Sequence, residues 1–366
     1  MTTITDSPPR RAVGTRLRLA APLAAAWLGG WGLLALLSAL TGTGYPFGAN
    51  DPHGGATSVL RLVPVRLGAP LFAGVLLLAA VAALLMSRTD RVRGLPRALL
   101  LGYGWTVAFG LAVVVPDARV LIILGYLPML IIGAPFGWPP VDYADIFDWP
   151  LLARCGALLG GLLLAGAVLV WQRRTVGACA ACGRGDDERG WTSPAAAARW
   201  GRWAAYAAAA IPLCYAVTRL AWAAGIPLGI SGDFLRELRE SGAVWAGAGL
   251  GAFATVGAIL TLGLVRPWGE RFPRWMVGLA GRRVPITLAV VPATLVALSV
   301  TAATLGLMSS PAFWQMGEVS LATAPMLLWP LWGPALGAAT VAYHLRRRGA
   351  CARCRRPWPG PVPRGR

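Results

Sequence analysis

The chain reads as an all-α, polytopic membrane protein. The expected architecture is about eight transmembrane helices in two four-helix repeats, with one short re-entrant or interfacial segment. Three observations carry it. Of 366 residues, 56% are hydrophobic and only 13% charged, against about 25% charged in a soluble domain. Eight apolar stretches reach or approach the roughly 20 residues that cross a bilayer. The arginines fall mostly in every second gap between those stretches, as the positive-inside rule requires.

The first element is a polar, basic N-tail, residues 1–18, read as cytosolic. The apolar stretch behind it is full length and has no evident small-residue cleavage motif, so it is a first span rather than a removed signal. The eight expected spans are Leu19–Leu40, Leu67–Met86, Ala98–Val115, Leu151–Trp171, Trp203–Ala224, Gly242–Val265, Val284–Met308 and Leu321–Leu345. A ninth stretch, Val120–Ala134, is short and contains Pro128. The acidic, aromatic run GWPPVDYADIFDWP follows it closely. It is expected to be re-entrant or interfacial.

All 34 basic residues are arginine, which a GC-rich genome explains. With eight spans and a cytosolic N-terminus, 27 of the 34 lie on the inner side. Letting Val120–Ala134 span would expel either the N-tail or the later arginine-rich loops. The net charge of +19 would suggest nucleic acid in a soluble protein. Distributed this way it suggests a cytosolic face for anionic lipid headgroups or a cytosolic or membrane protein partner, and no nucleic acid.

The domain plan is therefore the tail 1–18, a four-helix repeat 19–171, a cytosolic linker 172–202, a second repeat 203–345 and a basic cytosolic tail 346–366. Three landmarks recur in order. GYPFG and GIPLG follow the first helix of each copy, a basic loop follows the second, and arginines then GACxxC follow the fourth. Parallel repeats of this kind occur in membrane folds. Within the second copy, Ser193-Pro194 writes a helix start, and Pro212 is expected to kink the helix. The stretch RWAAYAAAAIPLCYAVTRLAWAAGIPLGIS (Arg202–Ser231) resembles a group of multi-pass membrane proteins of actinobacteria with no assigned activity. The resemblance implies a bacterial inner-membrane protein and nothing about chemistry.

Six cysteines are present. Cys155 and Cys214 lie in apolar helices and read as small hydrophobes. Cys179, Cys182, Cys351 and Cys354 form two C-x-x-C pairs, GACAACGR and GACARCRR, one beyond each repeat. Two such pairs supply the four thiolates of a closed, structural Zn²⁺ site. Gly183 suits the turn of a zinc knuckle; Arg355 at the matching place departs from it. Thiol–disulfide exchange is a second reading, because neighbouring arginines lower thiol pKa, although the cytosol disfavours stable disulfides. Inert tails are a third.

Ionisable residues inside a membrane are functional by default, and this chain has few. Arg154 and Arg219 lie within apolar stretches, and both are expected to snorkel toward the interface. The sharper alternative pairs Arg219 with Glu318, Asp233 or Asp117, or with an anionic headgroup. The two histidines, His53 and His344, stand far apart and form no triad or metal signature. Gly- and Ala-rich runs such as GALLGGLLLAGA read as close helix packing, and the tryptophans near helix ends as interface anchors. The expected function is a non-enzymatic structural or accessory subunit of the bacterial cell membrane. The alternatives are a permease-like subunit for a neutral or anionic solute using Arg219, and a membrane thiol oxidoreductase.

Overall fold

The computed structural model describes residues 15–53, 58–137, 142–184, 190–314, 320–349, 351, 353 and 354. It is helical throughout, and among these residues the only β contact is an isolated bridge between Arg271 and Arg283. The long helices are α1 (Thr15–Thr41), α2 (Val65–Arg88), α3 (Gly94–Phe109), α4 (Ala118–Gly133), α6 (Trp149–Thr175), α7 (Pro194–Ala223), α9 (Ala243–Leu262), α10 (Ile286–Met308) and α13 (Trp329–Arg347). Shorter pieces are α5 (Tyr143–Ile146), α8 (Gly232–Glu240), α11 (Pro311–Trp314) and α12 (Ala324–Leu327).

Seven helices are long and apolar enough to cross a membrane, or eight if the bent α4 segment is one span. This makes the chain an all-α, polytopic membrane protein. The seven match the first seven expected spans. The eighth expected stretch, Leu321–Leu345, differs. Its first residues form turns and α12, and α13 begins only at Trp329. Pro325 and Pro330 stand in the first turns of α12 and α13, the position where proline, with no N–H to donate, marks a helix start. At 19 residues, with His344, Arg346 and Arg347 in its last turn, α13 is about 28 Å long, and it packs against α7 and α10.

Two helix groups share a pattern of neighbours. In one, α1 packs on α2 and α6, and α3 packs on α6; in the other, α7 packs on α9 and α13, and α10 packs on α13. Each has its own core. Leu28, Ala83, Leu164 and Trp171 are buried in the first, and Ala205, Leu336, Ala339 and Tyr343 in the second. Small residues make the contacts close. A methyl on Gly161 would stand 2.8 Å from the Ala108 carbonyl oxygen of α3, and one on Gly201 would stand 2.2 Å from the Ala342 Cβ of α13. Lipid tails are as apolar as leucine, so such van der Waals fit drives association here. The packing reading of the Gly-rich run GALLGGLLLAGA holds at Gly161.

The helix starts follow local chemistry. Ser193 Oγ accepts a hydrogen bond from the Ala196 N–H at 3.3 Å, and α7 then continues unbroken through Pro212. Asp148 caps α6 by accepting from Leu151 N–H at 2.8 Å. At its far end α3 loosens into a π-helical turn, Gly110–Val114, which packs on α6 and α10.

The segment expected to be re-entrant is α4. It bends by 49° between Ala118–Leu127 and Leu130–Phe136. Its start and the start of α6 meet, because Arg119 Nη1 lies 3.1 Å from Asp148 Oδ2. On the return limb Tyr143 Oη donates to the Leu130 carbonyl at 3.2 Å. The excursion therefore leaves and rejoins the bundle at one end. In between, Gly125 approaches Phe253 of α9, and Ile123 and Leu124 join a cluster with Leu298 and Leu305 of α10. The first helix group thus leans on the second through α4.

Candidate metal centre

The end of α6 is written for a sharp stop. Gly177 has φ +72°, Gly177 N–H donates to Arg174 O at 3.1 Å, and Ala178 N–H donates to Arg173 O at 2.9 Å. These are the two bonds of a Schellman cap. The chain then closes a tight loop: Gly183 N–H donates to Cys179 O at 2.7 Å, and Cys179 N–H to Arg184 O at 2.9 Å. Gly183 holds φ +75°, a conformation open to glycine at little cost. A methyl there would stand 2.9 Å from Arg173 Nε. The second pair follows α13, whose last turn carries Arg346 and Arg347 and whose C-cap is Arg348.

The four sulfurs converge. Cys179 Sγ lies 4.0 Å from Cys351 Sγ and Cys182 Sγ 3.6 Å from Cys354 Sγ. All four lie within 4.8 Å of one another. A tetrahedral site with metal–sulfur bonds of about 2.3 Å has sulfurs about 3.8 Å apart, so the two cross-pairs bracket that spacing. None of the six thiols is in a disulfide. The backbone also faces the sulfurs: Arg184 N–H reaches Cys182, and the N–H groups of Arg353 and Cys354 reach Cys351. Burial pushes the Cys182 thiol up to about 12, and the neighbouring thiols add to the rise against the Arg184 amide. Slight burial of Cys351 is outweighed by the two amides and the other thiols, which bring it down to about 7. Donor number and spacing fit a thiophilic ion.

Arginines clasp the two loops to each other. Arg184, 4% exposed, donates to the carbonyls of Gly349 at 2.9 Å and Arg348 at 3.5 Å. In return Arg348 donates to Cys182 O at 3.0 Å. Arg173 donates to Ala181 O at 3.1 Å and Ala180 O at 3.3 Å. Four thiolates around a divalent ion carry a formal charge of about −2, and these guanidiniums surround it. The sequence brought the four cysteines forward; the crossed clasp was not legible in it, because spacing alone does not show which carbonyl an arginine will find.

The opposite end of the bundle holds a site that the sequence reading missed. Arg154 does not snorkel; it is fully buried. Its Nη2 lies 2.5 Å from Asp51 Oδ2 and its Nε 2.9 Å from Asp117 Oδ2. Arg119 bridges Asp51 at 2.7 Å and Asp148 at 3.1 Å, and His53 Nδ1 stands 3.1 Å from Asp148 Oδ2. The His53 reading therefore gains a local partner. Burial pushes the Asp117 carboxyl up against the pull of Arg154 and Arg119. Asp148 feels burial in the same sense, but the Leu151 amide, His53 and Arg119 outweigh it and hold it below the usual carboxylate range. The available signal was span parity, which puts Asp51, Asp117, Asp148 and Arg154 at one end.

Arg219 is not joined to the carboxylates proposed for it. Asp117 serves Arg154 and Arg119, and Asp233 pairs with Arg236. Glu318 lies outside the described residues, as do the tails 1–14 and 355–366. Among the described residues no carboxylate reaches Arg219; its guanidinium instead lies over Trp222 at 4.1 Å and Tyr215 at 4.6 Å.

Fold and site together define a helical membrane protein with a four-cysteine cluster at one end of its bundle. Compared with protein-family models, curated proteins and solved structures, the chain matches none.

Proposed function

We propose that the cysteines form a structural zinc site that staples two duplicated halves of a non-enzymatic membrane protein. The observation that carries this is the convergence of both C-x-x-C pairs, with cross-pair sulfurs at 3.6 and 4.0 Å. Bound zinc would supply four thiolate bonds and leave no open coordination position. Cys179, Cys182, Cys351 and Cys354 hold it, and Arg173, Arg184 and Arg348 offset its charge. The shared pattern of neighbours in the two helix groups supports duplication, and the equivalent placement of the two pairs supports the staple.

The cysteine end is the cytosolic face of the cell membrane in this reading, with both termini there. The arginines at the ends of α2, α6 and α13 support that orientation, and the same face attracts anionic lipid headgroups. Metal analysis of the purified chain tests the proposal. The expected content is about one zinc per chain, lost in Cys179→Ser together with part of the stability. Zinc lost with no change in stability would leave the staple without support. A thiol exchange function would instead give metal-free protein whose Cys351 alkylates rapidly.

A further inference from the structure

We infer that Arg219 binds the phosphate of an anionic phospholipid at the end of the bundle opposite the cysteines. Arg219 is four residues from the end of α7, about 6 Å along the axis, the depth at which headgroups begin. Its side chain runs along α9 in a channel left by two glycines. A methyl on Gly251 would stand 3.2 Å from its Cβ, and one on Gly247 would stand 3.7 Å from its Cδ. Gly247 is one turn nearer the start of α9 than Gly251, so the side chain climbs toward the bundle end. Tyr215 and Trp222 flank the guanidinium at 4.6 and 4.1 Å. Trp222 is itself fixed, its indole N–H donating to Leu228 O at 3.0 Å.

Among the described residues the arrangement holds a cation and brings it no carboxylate. Arg219 Nη1 is closed to solvent and, among the described residues, has no hydrogen-bond partner. Two aromatic faces attract the cation but give its N–H groups no charge-assisted hydrogen bond. The contrast with Arg154, which meets two carboxylates in the same bundle, shows what the site lacks. An oxyanion supplies it through charge-assisted bonds. The phosphate of a lipid fits better than a soluble anion because the adjoining helix faces are apolar: Leu220 of α7 and Leu250 of α9 are exposed, a platform for acyl chains. Indole and phenol rings at headgroup depth suit the same interface.

Native mass spectrometry of the full chain in detergent tests this with phosphatidylglycerol, phosphatidylcholine and inorganic phosphate as probes. Wild-type protein is expected to retain phosphatidylglycerol at least about tenfold better than Arg219→Gln, the loss of one charge-assisted contact. Arg219→Lys should recover part of the difference and guards against a folding defect in the glutamine variant. Arg236→Gln, an exposed arginine already paired with Asp233, should retain lipid as wild type does. Equal retention by wild type and Arg219→Gln would overturn the inference. So would displacement of the lipid by millimolar inorganic phosphate, which would mark a soluble-anion site. A gain of lipid in Glu318→Gln would overturn it as well, by showing that this carboxylate normally occupies the arginine.

Discussion

The two ends of the bundle solve opposite problems. At one end Asp51, Asp117 and Asp148 meet Arg119 and Arg154, so buried charges of both signs neutralise each other within the chain. At the other, four thiols sit among arginines that donate to backbone carbonyls. The first site is electrically nearly complete; the second gathers four thiol ligands and the arginines to offset their charge. The same helix, α6, connects them: it carries Arg154 near its start and Arg173 near its end. One end ties the loops after α1 and α3 to the start of α6, all within one helix group. The other ties the ends of α6 and α13 together across the two groups.

This comparison can be broken most forcefully at the closed end. Arg154→Met would leave Asp51 and Asp117 buried without their main partner, and breaking a buried pair costs about 3–5 kcal/mol. Denaturant unfolding in detergent should show that loss; a change below about 1 kcal/mol would mean the network is not structural. At the cysteine end, Cys179→Ser should destabilise by about 3 kcal/mol when free zinc stands roughly a hundredfold above its dissociation constant. A chelator should destabilise the wild type by the same amount and leave the variant unchanged.

Arg184→Gln removes the buried half of the crossed clasp and should cost about 1–3 kcal/mol, read as a lowered midpoint with zinc still bound. The smallest effect concerns pH. Asp148 is held below its ordinary range in the folded state, so its contribution is complete above the unfolded carboxyl value of about 3.9. It fades as pH falls through the lower folded value. Asp148→Asn keeps a helix-capping side chain and should be less stable than wild type by up to about 1 kcal/mol near neutrality. The two curves should converge in acid; a constant gap would assign the effect to capping geometry instead of charge.

Much of the architecture was legible because a bilayer writes long apolar runs, and seven helices answer to seven of the eight stretches. The eighth was blurred by Pro325 and Pro330, whose neighbours are as apolar as the helix proper. Four cysteines at matched distances from two helix ends pointed to a shared site, and the folded distances agree. Arg154 misled because a lone arginine near a helix end ordinarily reaches for water. Its partners come from two other loops, at Asp51 and Asp117, and only the topology brings them together. The α8 helix was not among the expected elements, because nine residues are too short to write a span; Ser231 caps it by accepting from Phe234 N–H at 3.2 Å.

What fills the cysteine cluster decides whether the two helix groups are joined by a metal. X-ray absorption at the zinc edge of protein purified without added metal is the direct measurement. The account predicts about one zinc per chain, with a single shell of four sulfurs at about 2.3 Å. A metal-free chain, or zinc bound mainly through nitrogen or oxygen, would contradict it.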